Sequence, residues 1–187
     1  MHVYDELVPF LKSRHVTRVE WKAGLRSYTD GFVVGLSDHL VAVLSILDFR
    51  SDGVEVSPLS RVAEVVTTSA DGFWQHVLET EGLVPERRVL RGLQLGDYRA
   101  LAESLHVRGR MVGVSYQPDV EGPVQYALGP VRATEDVRCA VQRVWASGAW
   151  DDEWTWIRFD TIERVDVDRP YVNAYERYTA PYEAPEA

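Results

Sequence analysis

Val3, Leu7, Phe10 and Leu11 recur at helical spacing and predict a short amphipathic helix at the start of the chain. From Val16 the apolar period switches to two. Strands are predicted over Val16–Trp21, Tyr28–Leu36 and the near-continuous apolar run Leu40–Leu47, with shorter ones over 54–56 and Val62–Val66. Gly24, Ser37-Asp38-His39 and Ser51-Asp52-Gly53 supply turn signals between them, and Pro58 suits a bend because it has no amide donor. A second helix over 71–79 presents Phe73, Trp74, Val77 and Leu78 on one face, with Ser69 upstream as a cap candidate. The same script then repeats: a helix over 95–104, strands over 109–116, 124–133, 137–145, 153–157 and Ile162–Val167, and a last helix over 171–178.

The repetition reaches individual residues. His15-Val16 recurs as His106-Val107, 91 positions on. Gly31 and Val33 match Gly129 and Val131, Asp38 matches Asp136, and Ala42-Val43 matches Ala140-Val141, all 98 apart. Val56, Leu59, Val62 and Val65 match Trp156, Phe159, Ile162 and Val165 at 100. An ordered series with a slowly growing offset is the mark of an internal duplication with insertions in loops. The expected organisation is a helix, barrel and following helix over 1–80, a connector over 81–94, a second such unit over 95–178, and a flexible tail over 179–187. The expected fold class is mainly β with flanking helices, built as two tandem small barrels of five strands each, a closure that removes free sheet edges.

The order of helix and bent strands, with Gly31 in the second strand, Asp38 in the next turn and Gly53 before two short strands, resembles the Sm-like (LSm) small barrel, an SH3-like architecture. The stretch 18–66 carries the resemblance best and 109–167 carries a weaker version. It implies oligomeric assembly, commonly as rings, and single-stranded RNA bound at two turns. The reading residues of that family are missing. Leu40, Val41 and Ala42 stand where an asparagine is expected, and Asp52-Gly53 stands where the resemblance puts an arginine-glycine turn. In the second copy the matching turn is read as Asp151-Asp152-Glu153, so a phosphate brought there meets repulsion.

Composition narrows the picture further. The chain has 187 residues, 45% hydrophobic and 26% charged, with a net charge of −9 and an acid excess in both halves, which argues against a broad phosphate-tracking surface. One cysteine, Cys139, excludes an intrachain disulfide and a cysteine-based zinc site. No apolar run reaches the roughly 18–20 residues of a membrane span, and MHVYDELVPF lacks the layout of a secretory leader, so a cytoplasmic protein without membrane contact is expected.

Candidate chemistry is sparse. The five histidines form no short ligand pair, no nucleophile, phosphate-loop or paired-cysteine motif is present, and no metal or cofactor is expected. His15 and His106 read as junction residues bonded to backbone, and Cys139 as core beside the anions Glu135 and Asp136. The segment 145–156 stands out because it holds Trp145, Trp150, Trp154 and Trp156 with Asp151, Asp152 and Glu153. As structure, Trp154 and Trp156 fill the second barrel and the acids solvate a hairpin tip. As function, Trp145, Trp150 and the three acids form an aromatic surface with an acidic rim suited to a basic protein partner. Arg87, Arg88 and Arg91 read as a solvated connector or, alternatively, an anion or nucleic-acid contact. The leading expectation is a non-catalytic interaction or assembly module that binds a protein partner or itself. A divergent Sm-like RNA-binding protein is the alternative, and an enzyme with a site between the barrels the third reading.

Overall fold

A computed structural model describes residues 3–22, 27–68, 70–86, 89–119 and 121–181. Helix α1 (Val3–Ser13) precedes strands β1 (Val16–Trp21), β2 (Tyr28–Leu36), β3 (Leu40–Leu47), β4 (Arg50–Pro58) and β5 (Val62–Val66), and α2 (Asp71–Thr80) follows them. Helix α3 (Tyr98–Arg108) then precedes β6 (Met111–Tyr116), β7 (Gln125–Thr134), β8 (Arg138–Val144), β9 (Trp150–Arg158) and β10 (Ile162–Val167), and α4 (Pro170–Tyr178) closes the set.

All ten strands belong to one antiparallel sheet in the order β5-β1-β2-β3-β4-β10-β6-β7-β8-β9. This corrects the expectation of two closed barrels: the sheet is open, with β5 and β9 at its margins. Within it, β5-β1-β2-β3-β4 and β10-β6-β7-β8-β9 run in the same order. Their registers coincide as well. Val33 faces Val43 and Gly35 faces Ala42 across a bulge, and Val131 faces Val141 and Ala133 faces Ala140 across another. Leu44 faces Val54 and Ala42 faces Val56, while Gln142 faces Trp154 and Ala140 faces Trp156. Gly31 and Gly129 occupy matching places, and a Cβ on either would land on a backbone carbonyl oxygen of the next strand, that of Leu44 or Gln142.

The two halves join where β4 pairs with β10, through Val54, Glu55 and Val56 opposite Val167, Asp166 and Val165. Facing residues of paired strands share a sheet face, so the face carrying Val54 and Val56 runs on into Val165 and Val167. All four belong to the main core, with Leu101 and Leu105 of α3, Leu78 of α2, and Leu90 and Leu95 between the halves. A second core inside the first half gathers Val19, Val33, Val41 and Val43 under Leu7 of α1. A third, small one holds Met111, Leu128 and Val144 under Val172 of α4.

Some turns differ from the sequence reading. Ser51-Asp52-Gly53 is not a turn but part of β4; the hairpin turns at Asp48-Phe49, both with positive φ. Phe49 accepts that conformation because its ring lies 4.7 Å from that of Trp74 in α2. The bend between β4 and β5 does fall at Pro58, which caps the 3₁₀ turn Leu59–Arg61. Asp151-Asp152-Glu153 likewise lies inside β9, not at the hairpin tip, which falls at 145–149. His15 and His106 are not equivalent either, because His106 sits within α3 whereas His15 follows α1.

Candidate functional site

Among the described residues β9 is the last strand at one margin of the sheet, and the tryptophan-acid segment forms it. Opposite the single residue between Gln142 and Val144, β9 carries three, Asp151, Asp152 and Glu153, so the acids make a bulge. Asp151 is held there by Arg143, whose Nη2 donates to Oδ2 at 2.7 Å, while the Nε2 of buried Gln142 donates to the Asp151 carbonyl. Asp152 and Glu153 are exposed. A charged, kinked stretch is a poor template for strand addition, which confines pairing on this margin to the residues from Trp154 onward.

Trp154 and Trp156 do not fill the interior, contrary to the structural expectation. They are 45% and 39% exposed, although the residues at the matching places in the first half, Val54 and Val56, are 2% and 0% exposed. Those valines lie in the main core beside Val165 and Val167 of β10 and with Leu78 and Leu101 of the helices; no described strand lies beyond β9. The guanidinium of Arg138 stacks 4.3 Å from the Trp156 ring and is itself paired with Glu135.

Trp150 and Trp145 have other roles. Trp150 is half-buried against the Met111–Leu128–Val172 cluster, and its Nε1 donates to the Ala180 carbonyl at 2.7 Å, fixing the chain that leaves α4. Trp145 is exposed beneath the Arg143 guanidinium, 3.7 Å from the ring. The expected ranking of substitutions is therefore the reverse of a filled second barrel. Trp150→Ala should lower stability by about 2 kcal/mol, and Trp154→Ala by less than about 1 kcal/mol, read as melting curves of the two variants side by side.

A cleft of about 720 Å³ opens between the halves, where the turns after β2, β4, β7 and β9 meet the start of α3. Its cations are already neutralised: Arg61 pairs with Glu163, and Arg99 lies 3.0 Å from Asp136. Arg91 is exposed on the segment between α2 and α3, and Arg87 and Arg88 lie outside the described residues. Cys139 is buried, and its loss of solvent pushes the thiol up to about 12, far from a reactive thiolate. His106 makes the backbone contact expected of it, Nδ1 to the Val131 carbonyl at 3.1 Å, whereas His15 is exposed. Among the described residues no group of His, Cys, Asp and Glu is placed to hold a metal ion, and no helix is long and apolar enough to cross a membrane.

A group that sequence reasoning missed lies at the β4–β10 junction. Arg169, just past β10, reaches back to Asp52 and Glu55 of β4 and donates Nε to Asp166 at 2.7 Å. Glu55 also accepts from the Thr29 hydroxyl at 2.7 Å, which in turn accepts from Trp21 Nε1. Glu55, Asp166 and Arg169 are almost wholly buried. Burial raises the Asp166 carboxyl above its ordinary range, opposed by Arg169 and Arg164.

No family model, curated protein or solved structure matches the chain.

Proposed function

We propose that the chain is a non-catalytic assembly module, a tandem duplication of a divergent Sm-like unit that adds further copies of itself end to end. The observation that carries this reading is the contrast between Val54 and Val56, sealed at the internal junction, and Trp154 and Trp156, open at the matching places. The shared strand order, the shared registers and the paired Gly31 and Gly129 support duplication. The internal junction is formed by the fifth strand of one half on the fourth strand of the other. The margins left over are again a fourth strand, β9, and a fifth, β5, so β9 of one copy and β5 of the next are complementary by the same rule. Carrying the internal register over sets Trp154, Thr155 and Trp156 against Thr67, Val66 and Val65 of the neighbour. An extended basic peptide on β9, attracted by Asp152 and Glu153, is the competing occupant. RNA is disfavoured because Arg61, in the turn after β4, and Arg99, at the start of α3, both facing the cleft, are occupied by carboxylates.

A mixing experiment tests the reading. The double variant Trp154→Lys/Trp156→Lys blocks β9, and Val66→Asp blocks β5 by burying a carboxylate opposite Thr155. By light scattering after size exclusion, the unmodified chain should form oligomers and each blocked chain a monomer. A mixture of the two blocked chains should form one-to-one dimers and nothing larger, because only one productive junction remains. Oligomers that survive both blocks, or an unmodified chain that stays monomeric and captures a lysine-rich peptide on β9 instead, would overturn self-assembly.

A further inference from the structure

A strand offers a partner its face as well as its edge. In the first half, Gly35 of β2, Ala42 of β3 and Val56 of β4 form one row across the sheet, with Leu44 and Val54 in the next. The segment between α2 and α3, the connector, is seated on that face: a Cβ on Gly35 would run into the methyl groups of Leu90 and Leu95. Leu83, Val84, Val89 and Leu93 of the connector pack against the core that holds Ala42, Leu44, Val54 and Val56. The matching row of the second half is Ala133, Ala140 and Trp156, with Gln142 and Trp154 in the next. There both indoles stand open to solvent, and Ala133 is half-buried where Gly35 is buried. Gln142 takes the place of Leu44. It is fully buried; its Nε2 donates to the Asp151 carbonyl, but its Oε1 has no partner among the described residues. A buried acceptor left in that state costs stability until a donor reaches it.

We propose that this face of the second half is a docking surface for an extended segment of a partner protein that carries leucines and arginines, as the connector does. The leucines follow from the precedent in the first half, where Leu90 and Leu95 sit at the end of the row that Gly35 begins. The cations follow from charge. Asp152 and Glu153, immediately before Trp154, are exposed and in no ion pair among the described residues. Arg138 and Arg158, at the other end of the face, are already paired with Glu135 and Asp160. A backbone N–H of the docked segment supplies the donor that Gln142 lacks. A second copy of this chain is not the occupant, because its own connector is already seated on its own first half. The inference rests on the duplication in the reading above and not on self-association. In the first half β10 takes the edge of β4 while the connector takes the face, so an occupied edge leaves the face available.

The probe is a synthetic peptide of residues 83–95 with blocked ends, which carries Leu90, Leu95 and three arginines. Isothermal titration into the full, unmodified chain should give a micromolar dissociation constant. Leu90→Ser/Leu95→Ser in the peptide, or Trp154→Ser/Trp156→Ser in the protein, should each weaken binding about tenfold or more. Asp152→Asn/Glu153→Gln should weaken it by about threefold in low salt and by less in high salt. Gln142→Leu should bind about threefold more weakly although it melts no lower, since it loses an unmet acceptor along with the contact. No binding at millimolar peptide overturns the inference. So does binding that Trp154→Ser/Trp156→Ser leaves unchanged, which would mean that the peptide displaces the resident connector on the first half. Self-association plays no part in the readout: Val66→Asp, blocked at the β5 edge, should bind the peptide as the unmodified chain does. Loss of binding by folded Val66→Asp would place the peptide at that edge and overturn the inference as well.

Discussion

Arg169→Met is expected to lower the stability of the protein by about 3–5 kcal/mol, the typical effect of removing one partner from a buried ion cluster. The cation serves three carboxylates at once, and two of them, Glu55 and Asp166, are almost fully shielded from water. Its loss leaves anions facing each other across β4 and β10, with Arg164 3.0 Å from Asp166. The deficit should shrink in acid. Asp166 already holds its proton more tightly than an ordinary carboxyl, and removing Arg169, which opposes that shift, raises it further. A carboxyl whose folded-state pKa is raised favours the folded state below that pKa and loses this contribution as pH rises through it. Melting temperatures of the two proteins should therefore converge as pH falls from neutral toward the ordinary carboxylate range. A constant gap would show that Arg169 acts through packing and not charge.

Gly31→Ala and Gly129→Ala should each destabilise by about 3 kcal/mol, at the upper end for an overpacked core. The added Cβ meets a backbone carbonyl oxygen, that of Leu44 or Gln142, which is fixed in the sheet and has no rotamer to move into. Gly129 has the further burden of a φ of +157°, in a range that L side chains rarely adopt. Chemical denaturation of the two variants checks the size of the effects and their order, with Gly129→Ala the larger. Gly72→Ala is the control, because nothing lies near its added Cβ and the residue is in α2, so it should be neutral or slightly stabilising.

Much of the β architecture was legible because period-two apolar runs and their offsets are local properties of the chain. Val16–Trp21, Tyr28–Leu36 and Ile162–Val167 fall where alternation places them, Leu40–Leu47 where its continuous apolar run does, and the spacings of 98 and 100 reappear as coincident registers. Two kinds of feature were not legible. The turn signal at Asp52-Gly53 was misleading because Phe49, held by Trp74, takes a backbone conformation usually left to glycine or asparagine, a tertiary override of turn chemistry. The exposure of Trp154 and Trp156 depends on what lies beyond β9, and an alternating pattern says which residues share a face but not whether that face is covered. The Arg169 cluster did leave a trace. Glu55 and Asp166 each interrupt an apolar run, Val54-Glu55-Val56 and Val165-Asp166-Val167, and a charge at the centre of such a triplet in a strand that is not at a margin demands a buried counterion.

The choice of tryptophan over valine on β9 has a consequence for how the protein survives alone. Val54 and Val56 never meet water, so an aliphatic side chain suffices there. Under the proposed assembly, their counterparts on β9 would have to be stable in two solvents, wet before a neighbour arrives and dry afterwards. Valine in that role would make every freshly synthesised chain adhesive toward any apolar surface. Indole tolerates both conditions: its ring gives a large area for burial, and its Nε1 hydrogen bonds to water until then. Arg138, stacked on Trp156, shields part of that ring from contact. On that proposal the last strand of the sheet would act as the terminal unit of a repeat array does, carrying its own provisional cap in its side chains.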